Sequence, residues 1–365
     1  MTVLTGTLAR YFGKRFFGAA VAVFGGFFLL VVLVDYIEMT RSASRVPNAS
    51  AWVVAQISFY RVPQATERII PFAVLIGAMV CYLTLSRRLE LVVARAAGVS
   101  AWQFIAPAVI IALLIGAAVT AVYNPLSAGL REYSKQLEAD LFGPKPEAQQ
   151  NNAGFWVRQR GESGGHSILN AAASRQQGAV LDGVTVLTFD SADRFQERIE
   201  AKRAELIQDN WRLTEATIYG PNAPPRSHPT YLLPTNLSLG QVRESLATAD
   251  TVSFWSLPQY IKLAEDSGLR AAGYRLQYQV LLARPFLLAA MVLVAASVSL
   301  RFFRFGGVMK MILSGVLAGF LLYVLSKVTE DISKAELMHP VTAAWLPVLT
   351  GGLTGILTLL FLEDG

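Results

Sequence analysis

The chain has 365 residues, 53% of them hydrophobic and only 16% charged, and its mean hydropathy is +0.42; this excludes an ordinary water-soluble globular protein and makes lipid the main solvent. The net charge of +6 and a pI near 9.4 would suit a nucleic-acid binder, but the Lys and Arg residues sit in short clusters beside apolar runs, the pattern of membrane orientation. The single cysteine, Cys81, lies inside an apolar run, which excludes an intramolecular disulfide and a cysteine-based metal site.

A hydrocarbon core about 30 Å thick takes about 20 mostly apolar residues of helix. Phe16 to Ile37, Ile69 to Leu85 and Ala101 to Tyr123 meet that requirement in the first half of the chain, and Leu281 to Leu300, Val308 to Ser326 and Val341 to Leu362 in the second. The expected fold is therefore a polytopic α-helical membrane protein of about six spans, three before and three after a long polar insertion. Ser42-Ala43-Ser44 after span one raises the possibility of a cleaved signal peptide. The apolar run is too long for a typical signal h-region, which favours a retained helix.

Basic residues set the orientation. Arg10, Lys14 and Arg15 precede span one, Arg87, Arg88 and Arg95 lie between spans two and three, and Arg301, Arg304 and Lys310 lie between spans four and five. All three clusters fall on one side, the cytoplasm. The connection between spans five and six carries Glu330, Asp331, Lys334 and Glu336 without a basic excess and faces the other side. Both termini are then cytoplasmic, and the insertion lies outside, which is the periplasm if the cell is Gram-negative.

From about Pro144 to Thr248 the apolar runs give way to short β-rich stretches separated by Gly, Asn, Asp and Pro, which predicts an all-β domain of sandwich or jellyroll type. Gly154-Phe155-Trp156-Val157, Val184 to Phe189 and Arg194 to Glu200 read as strands, the last with Phe195 and Ile199 alternating with polar residues so that one face is buried. Asp209-Asn210 reads as a hairpin turn leading into Trp211 to Thr214. Two helical connectors flank the domain, Leu126 to Phe142 and Trp255 to Asp266 before Gly268. The domains are thus residues 1–125, with a surface helix at 86–99, then 126–270 and 271–365.

Gly161-Glu162-Ser163-Gly164-Gly165 matches a nucleophile elbow only literally: an elbow needs a strand before and a helix after, and here a β-prone stretch follows. A glycine-rich turn explains it. His166, His228 and His339 are too far apart for a His-x-x-x-His zinc site. The chain has no Gly-x-x-x-x-Gly-Lys-Ser/Thr loop to cradle ATP phosphates, so ATP-driven work falls to a partner.

The most informative stretch is Ser86 to Ser100, between spans two and three on the cytoplasmic side. Leu89, Val92, Val93 and Ala96 share one helical face while Arg88 and Arg95 fall on another, which predicts a short helix along the membrane surface. Gly98 suits its C-terminal cap, and Ser100 with Gln103 makes a capping box that starts the next span.

With Glu90-Leu91, Gly98 and Ser100, this stretch resembles the cytoplasmic coupling helix of the LptF/LptG family of lipopolysaccharide export permeases. The resemblance extends over nearly the whole chain. Three spans, a periplasmic β-jellyroll and three more spans are the family's arrangement, and Phe254-Trp255-Ser256-Leu257-Pro258 is similar to the segment leading into its fourth span. Val34-Asp35-Tyr36-Ile37-Glu38 looks closer to the LptG branch than to the LptF branch.

The resemblance implies a membrane subunit that catalyses no reaction itself and binds no cofactor. It would pair with an LptF-like homologue around a laterally opening cavity, receive force from an LptB-like ATPase dimer that uses ATP and Mg²⁺, and pass lipopolysaccharide through the jellyroll to an LptC-like protein. ATPase coupling would involve Arg87, Arg88, Glu90, Leu91, Arg95 and Gly98, with Glu90 meeting the ATPase groove. The phosphorylated, multi-acyl glycolipid needs cations at headgroup level above an apolar wall. Arg41, Arg45, Arg131, Lys135 and Arg284 are the candidates; Arg131 and Lys135 are one helical turn apart, and Arg284 is a charge in apolar surroundings that could instead snorkel to the outer interface. The chain departs from the family at the end of span one, where a frequent Lys is replaced by Val31-Val32-Leu33 followed by Asp35 and Glu38.

Three alternatives fit less well. A mechanotransmitting ABC-type subunit usually has fewer spans and a mixed α/β insertion. A secondary transporter needs charges at mid-membrane in broken helices, whereas most charges here sit near span ends. A membrane enzyme needs a convergent acid, base or nucleophile set that the sequence does not supply.

Overall fold

The computed structural model describes every residue except 1–5, 45–49, 143–154, 161–164, 176–179, 193, 208–209, 222, 236–248, 267–270, 306 and 364–365. Arg45, Ser163 with its neighbours Gly161 to Gly164, Asp209 and Gly268 lie outside the described residues. The chain divides into two compact units, Met1–Leu137 with Ser253–Leu257 and Ala272–Gly365, and Glu138–Val252 with Pro258–Ala271.

The first unit is helical. It contains α1 (Thr7–Ala43), α2 (Ala51–Glu67), α3 (Ile70–Arg87), α4 (Glu90–Ala96), α5 (Ala101–Ala118), a π-turn (Val119–Tyr123) and the start of α6 (Asn124–Phe142). After α7 (Leu257–Asp266), which belongs to the second unit from Pro258 onward, come α8 (Ala272–Phe305), α9 (Val308–Lys334) and α10 (Pro340–Glu363). Among the described residues, 6 helices are long and apolar enough to cross a membrane: α1, α3, the α5–α6 run, α8, α9 and α10. Their order is the expected three before and three after the β-sheet. α1, with 37 residues, is about 55 Å long and therefore extends beyond a hydrocarbon core of about 30 Å.

The core gathers Phe12 and Phe16 of α1, Leu75 and Leu85 of α3, and Phe104 of α5, and α8 adds Leu288, Val292 and Ala295. Close backbone approach lets these helices interlock, as small residues do where no hydrophobic force separates helix from lipid. A Cβ on Gly77 would lie 2.6 Å from Ala20 Cα, and one on Gly116 would lie 2.4 Å from Pro285 Cα. The second contact puts α5 against the proline of α8.

The second unit carries β1 (Phe155–Arg160), β2 (His166–Arg175), β3 (Val180–Phe189), β4 (Phe195–Ile207), β5 (Asn210–Gly220) and β6 (Ala223–Pro234). The insertion is β-rich as expected, and its described strands pair antiparallel in sequence order as one sheet from β1 to β6. Leu169, Leu181, Val186, Ile199, Trp211 and Leu213 lie in its apolar core. Phe195 differs from the expected pattern: it is 45% exposed and packs edge-on against Phe189, 6.0 Å between ring centres.

The sheet is creased. Gly183, Lys202 and Glu215 stand opposite one another on β3, β4 and β5, and Gly183 and Glu215 are left-handed, with φ of 63° and 54°. On each side of this line the buried positions change phase, from Leu181 to Val184 and from Leu213 to Ala216. Strict alternation would have turned half of each strand inside out. Lys202 Nζ bonds Glu215 Oε1 at 3.1 Å, joining the two charged members of the crease.

Candidate functional site

Two places in the helical unit combine polar chemistry with helix junctions. The first is α4. Leu89 takes a left-handed conformation, φ 59°, and its N–H donates to Ser86 O at 2.9 Å, so the chain leaves α3 and re-enters helix at Glu90. At the other end Gly98, φ 82°, closes a Schellman motif: Gly98 N–H donates to Arg95 O (2.9 Å) and Val99 N–H to Ala94 O (3.0 Å). Ser100 and Gln103 then form the expected capping box, with Ser100 N–H donating to Gln103 Oε1 at 3.2 Å. The junction is fixed at both ends.

Leu91 and Ala94 are buried in the helical core and anchor α4. Leu89, Val92, Val93 and Ala96, the apolar face expected from spacing, point away from the protein, Val93 being 66% exposed. Arg87, Arg88, Arg95 and Gly98 are exposed as well. Glu90 is tethered: Tyr11 Oη on α1 donates to its Oε2 at 3.0 Å, and Arg15 Nε and Nη2 donate to Tyr11 Oη at 3.1 and 3.0 Å. The guanidinium also lies 5.2 Å from the Tyr11 ring centre. α4 is therefore linked by side chains to α1 in addition to its backbone continuity with α3 and α5.

The second place surrounds the π-turn. Glu67 at the end of α2 accepts from Asn124 Nδ2 (3.0 Å) and Arg284 Nη1 on Oε1 and from Ser127 Oγ (3.2 Å) on Oε2. Arg284 and Glu67 side chains are 11% and 8% exposed. Asn124 Oδ1 in turn accepts Phe254 N–H at 2.9 Å, and Ala121 O accepts Trp255 Nε1 at 3.0 Å. One carboxylate thus ties α2, α6 and α8 together, and Asn124 extends the network to the segment before α7.

Proline chemistry explains Thr120. Pro285 has no N–H for Leu281 O, four residues back in α8. Thr120 Oγ1 donates to that carbonyl at 2.9 Å. The same device recurs where Pro347 orphans Ala343 O and Thr329 Oγ1 of α9 donates to it, also at 2.9 Å.

The model of the family described as lipopolysaccharide export system permease LptF/LptG matches residues 10–360 of this chain. The chain belongs to the LptF/LptG family. Lipopolysaccharide export system permease protein LptG of Haemophilus influenzae is 22% identical to it, over 94% of this chain and 95% of the relative. The LptG protein of Escherichia coli K12 is 24% identical, over 94% of each. This LptG-like permease is thus the non-catalytic membrane component of a lipopolysaccharide export ABC transporter, a multi-pass protein that works within a complex.

The phosphate-binding candidates of the permease fall into distinct settings. Arg41 is exposed in the last turn of α1. Arg131 and Lys135 are half-buried on α6, and Arg131 Nη1 approaches Ser134 Oγ at 3.4 Å. Arg284 is neutralised by Glu67. Asp35, the acidic departure at the end of span one, is paired likewise, with Arg61 Nε 3.4 Å from its Oδ1. Both counter-ions come from α2, which a search for long apolar runs passes over. Tyr11, Glu67, Thr120 and Asn124 were not legible as partners; the available signal was a lone carboxylate before span two and polar residues inside the Ala101–Tyr123 run.

Proposed function

We propose that this permease extracts lipopolysaccharide from the inner membrane as one half of a pair with an LptF-like homologue, driven by an LptB-like ATPase dimer and delivering to an LptC-like protein through its β-sheet unit. Both termini are cytoplasmic and the sheet is periplasmic, a reading supported by the placement of Lys and Arg at one end of the spans. ATP and Mg²⁺ belong to the ATPase, and this chain binds no cofactor. Pairing along α1 and α9 is supported by the apolar side chains these helices leave exposed, among them Leu29, Leu33, Leu313 and Phe320.

The observation that carries the ATPase coupling is the geometry of α4, capped at Gly98, anchored by Leu91 and Ala94, and uncovered along Leu89, Val92 and Val93. Arg87, Arg88 and Arg95 ring this face, and Glu90 passes its motion to α1 through Tyr11. Collapse of the shared cavity would then expel the amphiphile towards Arg41, Arg45, Arg131 and Lys135, which would meet its phosphates. Arg284 would hold α8 in place for that movement through Glu67.

The test is pull-down from membranes with mass spectrometry of protein and lipid. The expected recovery is an ATPase, a homologous permease and lipid A-bearing glycolipid. Val92→Asp with Val93→Asp changes only exposed positions and is expected to abolish recovery of the ATPase while keeping the permease partner. Undiminished ATPase recovery with that variant removes α4 from the coupling.

A further inference from the structure

Between the basic ends of α1 and α3 lies a cavity of about 270 Å³. Lys14, Arg15 and Arg88 line it together with the Thr84 hydroxyl, and Gly18 and Val80 continue its wall along the spans. No carboxylate is among the lining residues. Neither Lys14 nor Arg88 has an acidic partner among the described residues, and the two Arg15 N–H groups described above are used on the neutral Tyr11 hydroxyl. Three cations around one cavity repel one another; Glu90 offsets part of this at Arg15 through Tyr11, and a bound anion removes the rest.

We propose that this cavity binds the phosphate of an anionic glycerophospholipid of the cytoplasmic leaflet. Three features choose a lipid over a free anion. The cations lie at the end of two apolar helices, where a headgroup sits. Phe17 and Val21, half exposed, extend an apolar surface from the cavity down the span. A Cβ on Gly18 would meet nothing within 4 Å, so the groove beside the headgroup is open to an acyl chain. Size separates this ligand from the export substrate, since the cavity is below the range of about 300–1,000 Å³ that holds whole drug-sized ligands and suits a headgroup, not a multi-acyl glycolipid. The leaflet follows the orientation proposed above; the site itself does not depend on it.

Occupancy has a consequence for α4. Arg15 holds Tyr11, and Tyr11 holds Glu90. A phosphate that recruits the remaining Arg15 donors fixes the guanidinium and with it the α1–α4 link, so the charge of the surrounding lipid enters the coupling path.

The experiment uses the purified full-length chain in mild detergent, titrated with phosphatidylglycerol or phosphatidylcholine and read by native mass spectrometry. Phosphatidylglycerol is expected to be retained preferentially, and Lys14→Gln is expected to lower its retention about fivefold, the scale of one basic side chain at an anionic membrane surface. Gly18→Leu, which keeps every charge and replaces glycine by a better helix former, is expected to lower retention as well by filling the groove. Lys310→Gln removes one charge from the same side of the membrane and is expected to leave retention unchanged. Equal loss with Lys310→Gln, or full retention with Gly18→Leu, overturns the site. Displacement of the lipid by millimolar inorganic phosphate overturns the lipid as its occupant in favour of a free anion.

Discussion

Glu67 and Arg284 illustrate what one buried charge requires of its neighbours. The carboxylate receives donors on both oxygens, from Arg284, Asn124 and Ser127, so neither ion is left uncompensated in a region with little water. Arg284→Met strands the carboxylate among neutral donors and is expected to destabilise by about 3–5 kcal/mol. Adding Glu67→Gln to it is expected to recover much of that loss in thermal unfolding of the detergent-solubilised protein. Simple additivity of the two single effects would show that the pair is not a unit. Thr120 permits a sharper test. Thr120→Val leaves Leu281 O without a donor and is expected to cost about 1–3 kcal/mol. In a Pro285→Ala background the helix supplies its own N–H at residue 285, and the cost of Thr120→Val is expected to shrink; an unchanged cost refutes this role of the hydroxyl.

At the level of elements, the left-handed residues mark where helices and strands change direction. Leu89 and Gly98 bound α4, and Gly183 and Glu215 define the crease of the sheet. Gly183→Val places a branched side chain at φ 63° with its Cβ 3.1 Å from Ala172 Cβ. A loss of about 1–3 kcal/mol is expected, read as faster amide exchange in β3 and β4 while α3 and α5 stay protected. The β3–β4 connection has a pH signature. The Asp190 carboxyl is held below the usual carboxylate range by the Arg194 backbone N–H first, helped by the Ala192 N–H and the Arg194 guanidinium. Because the folded value is depressed, its stabilising effect is present above the ordinary carboxylate range and is lost as pH falls through the folded value, below about pH 4. Amide exchange at Glu197 is expected to accelerate in that window, and Asp190→Asn is expected to remove the pH dependence.

Across the whole molecule the energy source and the moving part are separate. The sequence holds no Walker-type phosphate loop, and the family's membrane subunits are not enzymes. The purified chain alone is expected to hydrolyse no ATP, with activity seen only when its ATPase is added. α2 adds two ion pairs to the apolar core of the helical unit, supplying Arg61 to Asp35 on α1 and Glu67 to Arg284 on α8. The apolar faces of α1 and α9 are left for lipid or a partner.

Sequence alone determined the six spans, the clustering of basic residues beside them, the β character of the insertion and both caps of the surface helix region, Gly98 and Ser100 with Gln103. These follow from local properties: apolar length, charge placement, alternation and backbone preference. The tertiary structure decided which face of α4 is anchored and which is open, because Leu91 and the stripe of Leu89, Val92 and Val93 are similarly apolar and differ in what packs against them. It also decided the fate of the charges. Asp35 and Arg284 read in sequence as isolated charges beside apolar runs, and their counter-ions lie 26 and 217 residues away, on a helix too polar and short to register as a span. The crease at Gly183, Lys202 and Glu215 is likewise invisible until three strands stand in register, since each residue alone reads as a single break in alternation.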